Sequence, residues 1–594
     1  MLSFRNKKFY LNGEELVIRS GSLHYFRALP AYWESLLKKF RAAGLNCVET
    51  YCAWNLHEPE PGRFDFTGNA DIRRFLETAA GLDLKVIVRP GPFICAEWEN
   101  GGLPAWLLKD PSIRLRVNHE GYMSCIKRYY HELFAVLRPY LEVNGGPIIA
   151  MAIENEYGSF GDDFSYLAAL EQIYRNERMD CLYFSADGET EVYLCTGSLP
   201  HILKAVDFTY QDGKSIADRF APSNKYLNGE APNFVVEYWA GQHSHWGRPF
   251  RERDDEQMRA DFCEMIASDV SFNDYMFFGG TNFGLMNGAN VDFSTGEHFR
   301  AELTTYDYDA ALTEWGDYTP RYFAIRDMIA EKTGEPLAEL PARPSFQKIG
   351  RVKLTESASL FAHPDAATHH RSLTAEPMEQ YGQGYGYIRY RKTMSYNAPY
   401  EFLTLRGIHD RAHVYLNGKL IGIRMRDEDE SPIELANGLH KGDVLDVFVE
   451  NMGRINFSYM VYKGDRKGIT EGIFGHNRLM TDFEIDCFDL RELPALTYSA
   501  ENAAALPAFF KGSFRAEPGK ECFVRFDSFR KGLIYVNGFL LGRYWERGPQ
   551  EALYLPGALL QEENEIVVFE TDGLRGDLEV EITDRHGIVG KTHG

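Results

Sequence analysis

The sequence predicts an α/β protein, an N-terminal (β/α)8 barrel of the TIM type followed by two all-β sandwich domains of jelly-roll type. Three observations predict it. Up to about residue 335, eight short apolar runs alternate with longer amphipathic segments. A stretch with three prolines, Glu335 to Pro344, then breaks the pattern. Beyond it the chain turns to short strand-like runs separated by Gly, Asn and Asp, and one segment recurs at an offset of 120 residues.

The eight runs are Leu16–Ser22, Cys47–Ala53, Lys85–Pro90, Ile148–Glu154, Leu182–Ser185, Val206–Tyr210, Phe234–Tyr238 and Tyr275–Phe278. Each is nearly continuous in apolar residues, as a strand covered on both faces must be. Trp33, Leu36, Leu37 and Phe40 recur at helical spacing before Gly44, and Phe75, Leu76 and Ala79 do so before Gly81. Met258, Phe262, Met265 and Ile266 form a third helical stripe. Pro336, Pro341 and Pro344 mark a linker. In the second half, HVYLNGKLIG (His413–Gly422) resembles LIYVNGFLLG (Leu533–Gly542), and Val447–Glu450 matches Val567–Glu570. In each copy an Asn-Gly turn joins two strands as a hairpin, and a third strand follows. The expected division is a barrel over 1–335, a linker and the first strands of one β domain over 336–380, a second β domain over 381–490, and the remainder of the first β domain over 491–594.

The 594 residues carry 64 Lys and Arg against 86 Asp and Glu, a formal charge of −22. No basic footprint for a nucleic acid exists, and an anionic membrane surface is disfavoured. No apolar run is long enough to span a bilayer. The basic residues near the N-terminus are not followed by an apolar run, so no signal peptide is visible and a cytoplasmic location is expected. The nine cysteines include no CxxC and read as reduced thiols. A homodimer is the preferred expectation for assembly.

Active sites of such barrels lie at the C-terminal ends of the strands. The segments that follow the first four strands and the seventh are crowded with Glu, Asn, Tyr, Trp and His. Carboxylates at the ends of strands four and seven face each other across the mouth, the geometry that glycoside hydrolysis needs. On the strand-seven side only Glu237 is available. On the strand-four side, strand alternation puts Glu154 and Glu156 on the same face, so periodicity leaves both open. Glu156 lies nearer the mouth and follows Asn155, so it is preferred as the acid, with Glu154 as a buried supporting carboxylate. His24, His57, His243 and His245 have irregular spacing and read as hydrogen-bonding histidines, so no metal and no cofactor are expected. Trp54 and Trp98 read equally well as structural residues under the loops.

Six long segments carry a resemblance: GSLHYFR (Gly21–Arg27), ETYCAWNLHEPEPGRFDF (Glu49–Phe66), RPGPFICAEWENGGLPAWLL (Arg89–Leu108), GGPIIAMAIENEYGSFG (Gly145–Gly161), GGTNFGLMNGAN (Gly279–Asn290) and TTYDYDAALTEWGD (Thr304–Asp317). VENMGRINF (Val449–Phe457) and VNGFLLGRYW (Val536–Trp545) extend it over the whole chain. The chain resembles glycoside hydrolase family 35, the β-galactosidase family of lysosomal animal enzymes and compact bacterial ones. The resemblance implies that the sandwiches are galactose-binding-like. It also implies a retaining exo-β-galactosidase that releases terminal galactosyl residues from oligosaccharides through a covalent galactosyl-enzyme, with β-1,3 linkages as the preferred bond. It implies Glu156 as acid/base, Glu237 as nucleophile, and Asn155 as contact to the sugar 2-hydroxyl and the nucleophile. Tyr51, Cys95, Ala96, Glu97 and Tyr308 match positions that hold galactose hydroxyls, with Tyr306 as a second candidate and Trp239 as an aromatic on the substrate side. The residue types fit these roles. An ionised Glu97 only accepts hydrogen bonds, and Glu156 must have a raised pKa, which burial and the Glu237 charge would supply.

The resemblance has departures. Gly284-Leu285-Met286 stands where animal members carry aromatics, and Gln242 and His243 stand where related bacterial chains present them. Phe457 reads as core packing ahead of a platform at the barrel mouth, and the β domains read as scaffolding. The competing readings are an exo-β-glucosaminidase or another exo-β-glycosidase of this architecture, and a catalytically inactive carbohydrate-binding protein.

Overall fold

The computed structural model describes residues 1–209, 213–336, 338–500 and 504–592. Eight parallel strands close a barrel: β1 (Arg19–Leu23), β2 (Cys47–Tyr51), β3 (Lys85–Arg89), β4 (Ile148–Ala152), β5 (Leu182–Gly188), β6 (Leu203–Phe208), β7 (Phe234–Trp239) and β8 (Ser271–Phe278), with β8 paired back to β1. Each expected run is a strand. Tyr210, at the end of the sixth run, and Leu337, in the expected linker, lie outside the described residues. Well-formed helices pack outside, among them Trp33–Ala42, Ile72–Gly81 and Asp255–Ala267, where the apolar stripes predict them. After β5 and β6 the helices shrink to Glu191–Thr196 and Ile216–Phe220.

Most strand bounds differ from expectation by a few residues, and two of the differences have a clear physical cause. The first strand begins at Arg19, because Glu14–Leu16 belongs to a separate antiparallel sheet with Leu2–Arg5 and Lys8–Leu11. That sheet plugs the N-terminal end of the barrel: Leu2 and Phe9 pack on Ile18, Ile87, Phe184 and Phe234, with the Phe9 and Phe234 rings edge to face at 5.6 Å. The fourth strand stops at Ala152, so Glu154 to Glu156 lie in the loop beyond it.

The β region is built from two sandwiches. Strands Gly350–Lys353 and Glu356–Ser359 pair with Glu579–Thr583 and Ala508–Arg515, so segments on either side of the middle region share a sandwich. The middle one stacks a six-stranded sheet, from Thr368–Ser372 to Lys419–Met425, on a four-stranded sheet. The internal repeat is structural. Hairpins Arg411–Leu416/Lys419–Met425 and Lys531–Val536/Phe539–Trp545 each carry a register shift at the same place, after Val414 and Ile534. Asn417 and Asn537 both take a φ of 52°, as an Asn-Gly turn with a left-handed first residue requires. Each Asn side-chain oxygen accepts from the third strand, at Val444 N (2.9 Å) and Glu565 N (3.0 Å).

Both sandwiches reach the barrel mouth. Ile455–Phe457 pairs in parallel with Ala289–Asn290 from the loop after β8. The buried Arg454 beside it pairs with Glu99 (2.5 Å), in the loop after β3, and with Glu379. The last sandwich holds the Thr304–Asp309 segment. The Thr304 hydroxyl donates to the Arg543 carbonyl (2.6 Å), Thr305 N donates to Gln550 (3.0 Å), and Lys591 forms a buried ion pair with Asp307. All nine cysteines are free. Among the described residues no helix is long and apolar enough to cross a membrane.

Candidate active site

A cavity of about 270 Å³ opens at the C-terminal ends of the barrel strands. Ile94, Cys95, Ala96 and Glu97 line it from the loop after β3, and Asn155 and Glu156 from the loop after β4. Glu237, Trp239, Gln242 and His243 come from β7 and its loop, Tyr275 from β8, and Tyr308 from the segment beyond. Phe457 lines it from the middle sandwich. The expectation of core packing for Phe457 is corrected: docking of Ile455–Phe457 on the barrel loops brings the ring to the cavity, 5.5 Å from that of Phe293.

The backbone builds this rim by left-handed residues. Cys95, Ala96 and Glu97 have φ of 53°, 57° and 49°, and Glu154, Glu156 and Tyr308 have 66°, 45° and 61°. Such values are uncommon away from glycine and cluster where a site over-determines the chain. They also correct one expectation. Glu154 and Glu156 do not share a face, because the extended chain ends before them and strand alternation does not apply. Glu154 turns under the loop, where Arg116 grips both its oxygens (3.1 and 2.9 Å) and Tyr166 donates to it (2.9 Å). Glu156 turns into the cavity.

The pair Arg116–Glu154 is buried, so removing one partner strands a charge in the interior. Arg116→Met is expected to destabilise the protein by about 3–5 kcal/mol. A denaturant or thermal unfolding midpoint matching that of the wild type would contradict this structural role for Glu154.

Glu156 and Glu237 sit in opposite environments. Glu237 is buried and receives three donors: Tyr51 Oη (2.7 Å) and Arg89 Nη1 (2.5 Å) at Oε1, and Trp239 Nε1 (2.9 Å) at Oε2. Charge-assisted bonds of this kind stabilise a carboxylate. Its neighbours behind the mouth are pushed towards neutrality. Burial raises Glu49 and Asp187 to about 7, and burial with the Glu237 charge raises Asp207 well above the usual carboxylate range. The Glu156 side chain, in contrast to that of Glu237, has no protein hydrogen bond among the described residues, and burial followed by the charge of Glu237 pushes it up to about 8.

The expected sugar contacts divide into two sets. Cys95, Ala96, Glu97, Asn155, Trp239 and Tyr308 line the cavity. Tyr51 and Tyr306 stand one step behind: the Tyr51 hydroxyl rests on Glu237, and that of Tyr306 donates to Glu97 and meets Tyr275 Oη at 3.1 Å. Trp54 and Trp98 are fully buried, with their ring N–H groups on Glu58 (2.7 Å) and Asn55 (3.0 Å).

The family model described as glycosyl hydrolases family 35 matches residues 8–332. The chain belongs to glycosyl hydrolase family 35. Models described as the first all-beta domain and the galactose-binding domain of beta-galactosidase match residues 376–491 and 507–565. A beta-galactosidase of Xanthomonas manihotis is 38% identical over 92% of this chain and 90% of its own. A human beta-galactosidase is 36% identical over 96% of this chain and 87% of its own.

Within this family 35 chain, sequence reading missed Arg89. It bridges Glu237, Asn155 and Glu49 (3.4 Å), residues from three separate segments. An arginine closing a strand carries no signal of this role until barrel closure gathers Glu49 of β2, Asn155 beyond β4 and Glu237 of β7 around the end of β3. Tyr275 was likewise invisible inside an apolar run. The group His243, His245 and Glu302 also assembles only in the fold. Both imidazoles meet Glu302 Oε1, at 2.7 and 2.9 Å, which are hydrogen-bond spacings. His245 Nδ1 is buried and has no partner among the described residues, lacking the outer hydrogen bond that orients a metal-bound imidazole. The cluster therefore reads as a hydrogen-bonded triad.

Proposed function

We propose that the protein is a retaining exo-β-galactosidase acting on terminal β-D-galactosyl residues of short oligosaccharides. The observation that carries this reading is the meeting on one cavity of Glu237, which receives three hydrogen-bond donors, and Glu156, which is pushed up to about 8 by burial and the charge of Glu237. The names of the family 35 relatives support galactose as the glycone. The small cavity of about 270 Å³, with Phe457 in its lining, supports action at a chain end in preference to an extended cleft.

In the first step a Glu237 oxygen attacks the anomeric carbon. The bond from that carbon to the leaving oxygen breaks, and Glu156 gives its proton to that oxygen. The product is an ester between the sugar and Glu237. Forming it removes the charge that raises Glu156, so the carboxylate now present at Glu156 accepts a proton from water as the water attacks the same carbon. The ester breaks, galactose leaves with its β configuration, and both glutamates return to their starting states. Asn155 is held through its side-chain oxygen by Arg89, which leaves its amide N–H groups for the sugar 2-hydroxyl. Glu97, braced by Tyr306, accepts from further hydroxyls.

A panel of nitrophenyl β-galactoside, β-glucoside, β-glucosaminide and α-galactoside tests the reading. Colour release from the β-galactoside alone, or far above the others, is the expected result. Preference for the glucosaminide would favour the exo-β-glucosaminidase reading, and no turnover would favour a binding protein. Among β-1,3-, β-1,4- and β-1,6-linked galactosyl disaccharides, the β-1,3 compound is the proposed preference.

A further inference from the structure

Beside the reacting pair, one wall of the cavity carries a group with no part in the steps above. His243 lies in the loop after β7, and its side chain keeps 21% of its surface open. Its Nδ1 is 2.7 Å from Glu302 Oε1, and Glu302 is buried, with His245 Nε2, which is hydrogen-bonded to Asn290 Oδ1, also 2.9 Å away. The ring is therefore clamped from behind. Its other nitrogen, Nε2, meets no protein group among the described residues, and the ring borders the cavity.

We propose that His243 is a specificity-determining residue, clamped through Nδ1 on Glu302 so that its Nε2–H is offered, beside Glu97, to one hydroxyl of the bound sugar. This rests on the proposed glycosidase reading of the same cavity and deepens it. The proton inventory of imidazole makes the clamp informative. With Nδ1–H committed to Glu302, a neutral ring leaves Nε2 only as an acceptor, and a protonated ring makes it a donor. Burial opposes the charge, but Glu302 and Glu97 overcome that cost and push His243 up to about 9, so the donor form prevails at neutral pH. Glu97 and His243, which line the same cavity and influence each other electrostatically, then offer it an acceptor and a donor. A hydroxyl that both accepts and donates satisfies the two together, and a sugar lacking that hydroxyl leaves both unpaired, the arrangement that discriminates most strongly. Glu302 acts through His243 and is a positioning residue.

The test measures kcat and KM for wild type, His243→Ala, His243→Gln and Glu302→Gln on a nitrophenyl glycoside and on its 3-, 4- and 6-deoxy analogues. The series is built on whichever glycoside the wild type hydrolyses. A charge-assisted hydrogen bond predicts about a 10- to 100-fold loss of kcat/KM in His243→Ala on the parent glycoside. It also predicts that for one deoxy analogue, already poor for the wild type, His243→Ala causes no further loss. Partial recovery in His243→Gln, whose amide can donate from a similar position, and an intermediate loss in Glu302→Gln are expected. Unchanged kcat/KM in His243→Ala would overturn the proposal, as would equal loss on the parent and every deoxy analogue, the signature of a structural role. Wild-type turnover with no such coupling refutes this inference alone, and no turnover of any glycoside refutes it together with the glycosidase reading.

Discussion

Glu237→Gln is expected to lower turnover of aryl β-galactosides by roughly 10⁵- to 10⁶-fold, the scale of losing a covalent nucleophile, while leaving the fold intact. The substitution keeps the volume of the side chain and an oxygen that can still accept from Tyr51 and Arg89. It removes the negative charge and replaces the oxygen facing Trp239 Nε1 by an NH2 group, a donor against a donor. The guanidinium of Arg89 also loses one of its carboxylate partners but keeps Glu49. Circular dichroism close to wild type should therefore accompany the lost activity. The smaller variant Glu237→Gly should regain turnover when azide is added and should release galactosyl azide of α configuration, because the anion attacks from the side the carboxylate has vacated. Near-normal activity in Glu237→Gln would end the nucleophile assignment.

Glu156→Ala is expected to separate substrates by their leaving groups. Protonation of the leaving oxygen matters little when that oxygen is already stable as an anion, as in a dinitrophenolate, and matters greatly for a sugar alcohol. The kcat/KM for a galactosyl disaccharide should fall by about 10²- to 10⁴-fold, and that for the dinitrophenyl galactoside far less. The pH profile carries the same signature. Glu156 is raised to about 8 by burial and by the charge of Glu237, and it acts as an acid, so its working form is present below that pH and is lost as pH rises through it. Wild-type kcat/KM on poor leaving groups should decline above about pH 8, and Glu156→Ala should lack that decline on good ones. Equal loss on good and poor leaving groups would contradict the acid role.

The barrel was legible because a parallel strand covered on both faces is nearly continuous in apolar residues, as Ile148–Ala152 is throughout and Phe234–Trp239 is apart from Glu237. The paired hairpins were legible because Asn417-Gly418 and Asn537-Gly538 announce a left-handed turn. Glu154 and Glu156 were not separable in the same way. Both take left-handed φ values beyond the end of the strand, where side chains no longer alternate, and nothing about a glutamate signals that conformation. Arg89 and Phe457 were illegible for a different reason. Each acts across segments far apart in sequence, Arg89 across three barrel strands and Phe457 across the contact between a sandwich and the barrel loops. The N-terminal plug was hidden because its strands are three or four residues long and only Leu2, Phe9 and their partners are buried.

Everything in the proposed chemistry turns on Glu237 becoming covalently attached to the sugar. A 2-deoxy-2-fluorogalactosyl fluoride slows both chemical steps by destabilising positive charge at the anomeric carbon, but its good leaving group lets the first step proceed. Incubation followed by mass spectrometry of the intact chain and its peptic fragments should show one fluorogalactosyl unit per chain, carried by the fragment containing Glu237 and located on that residue. A label on Glu156 or Glu154, or the absence of any adduct while the wild type is hydrolysing galactosides, would contradict the double-displacement mechanism with Glu237 as nucleophile.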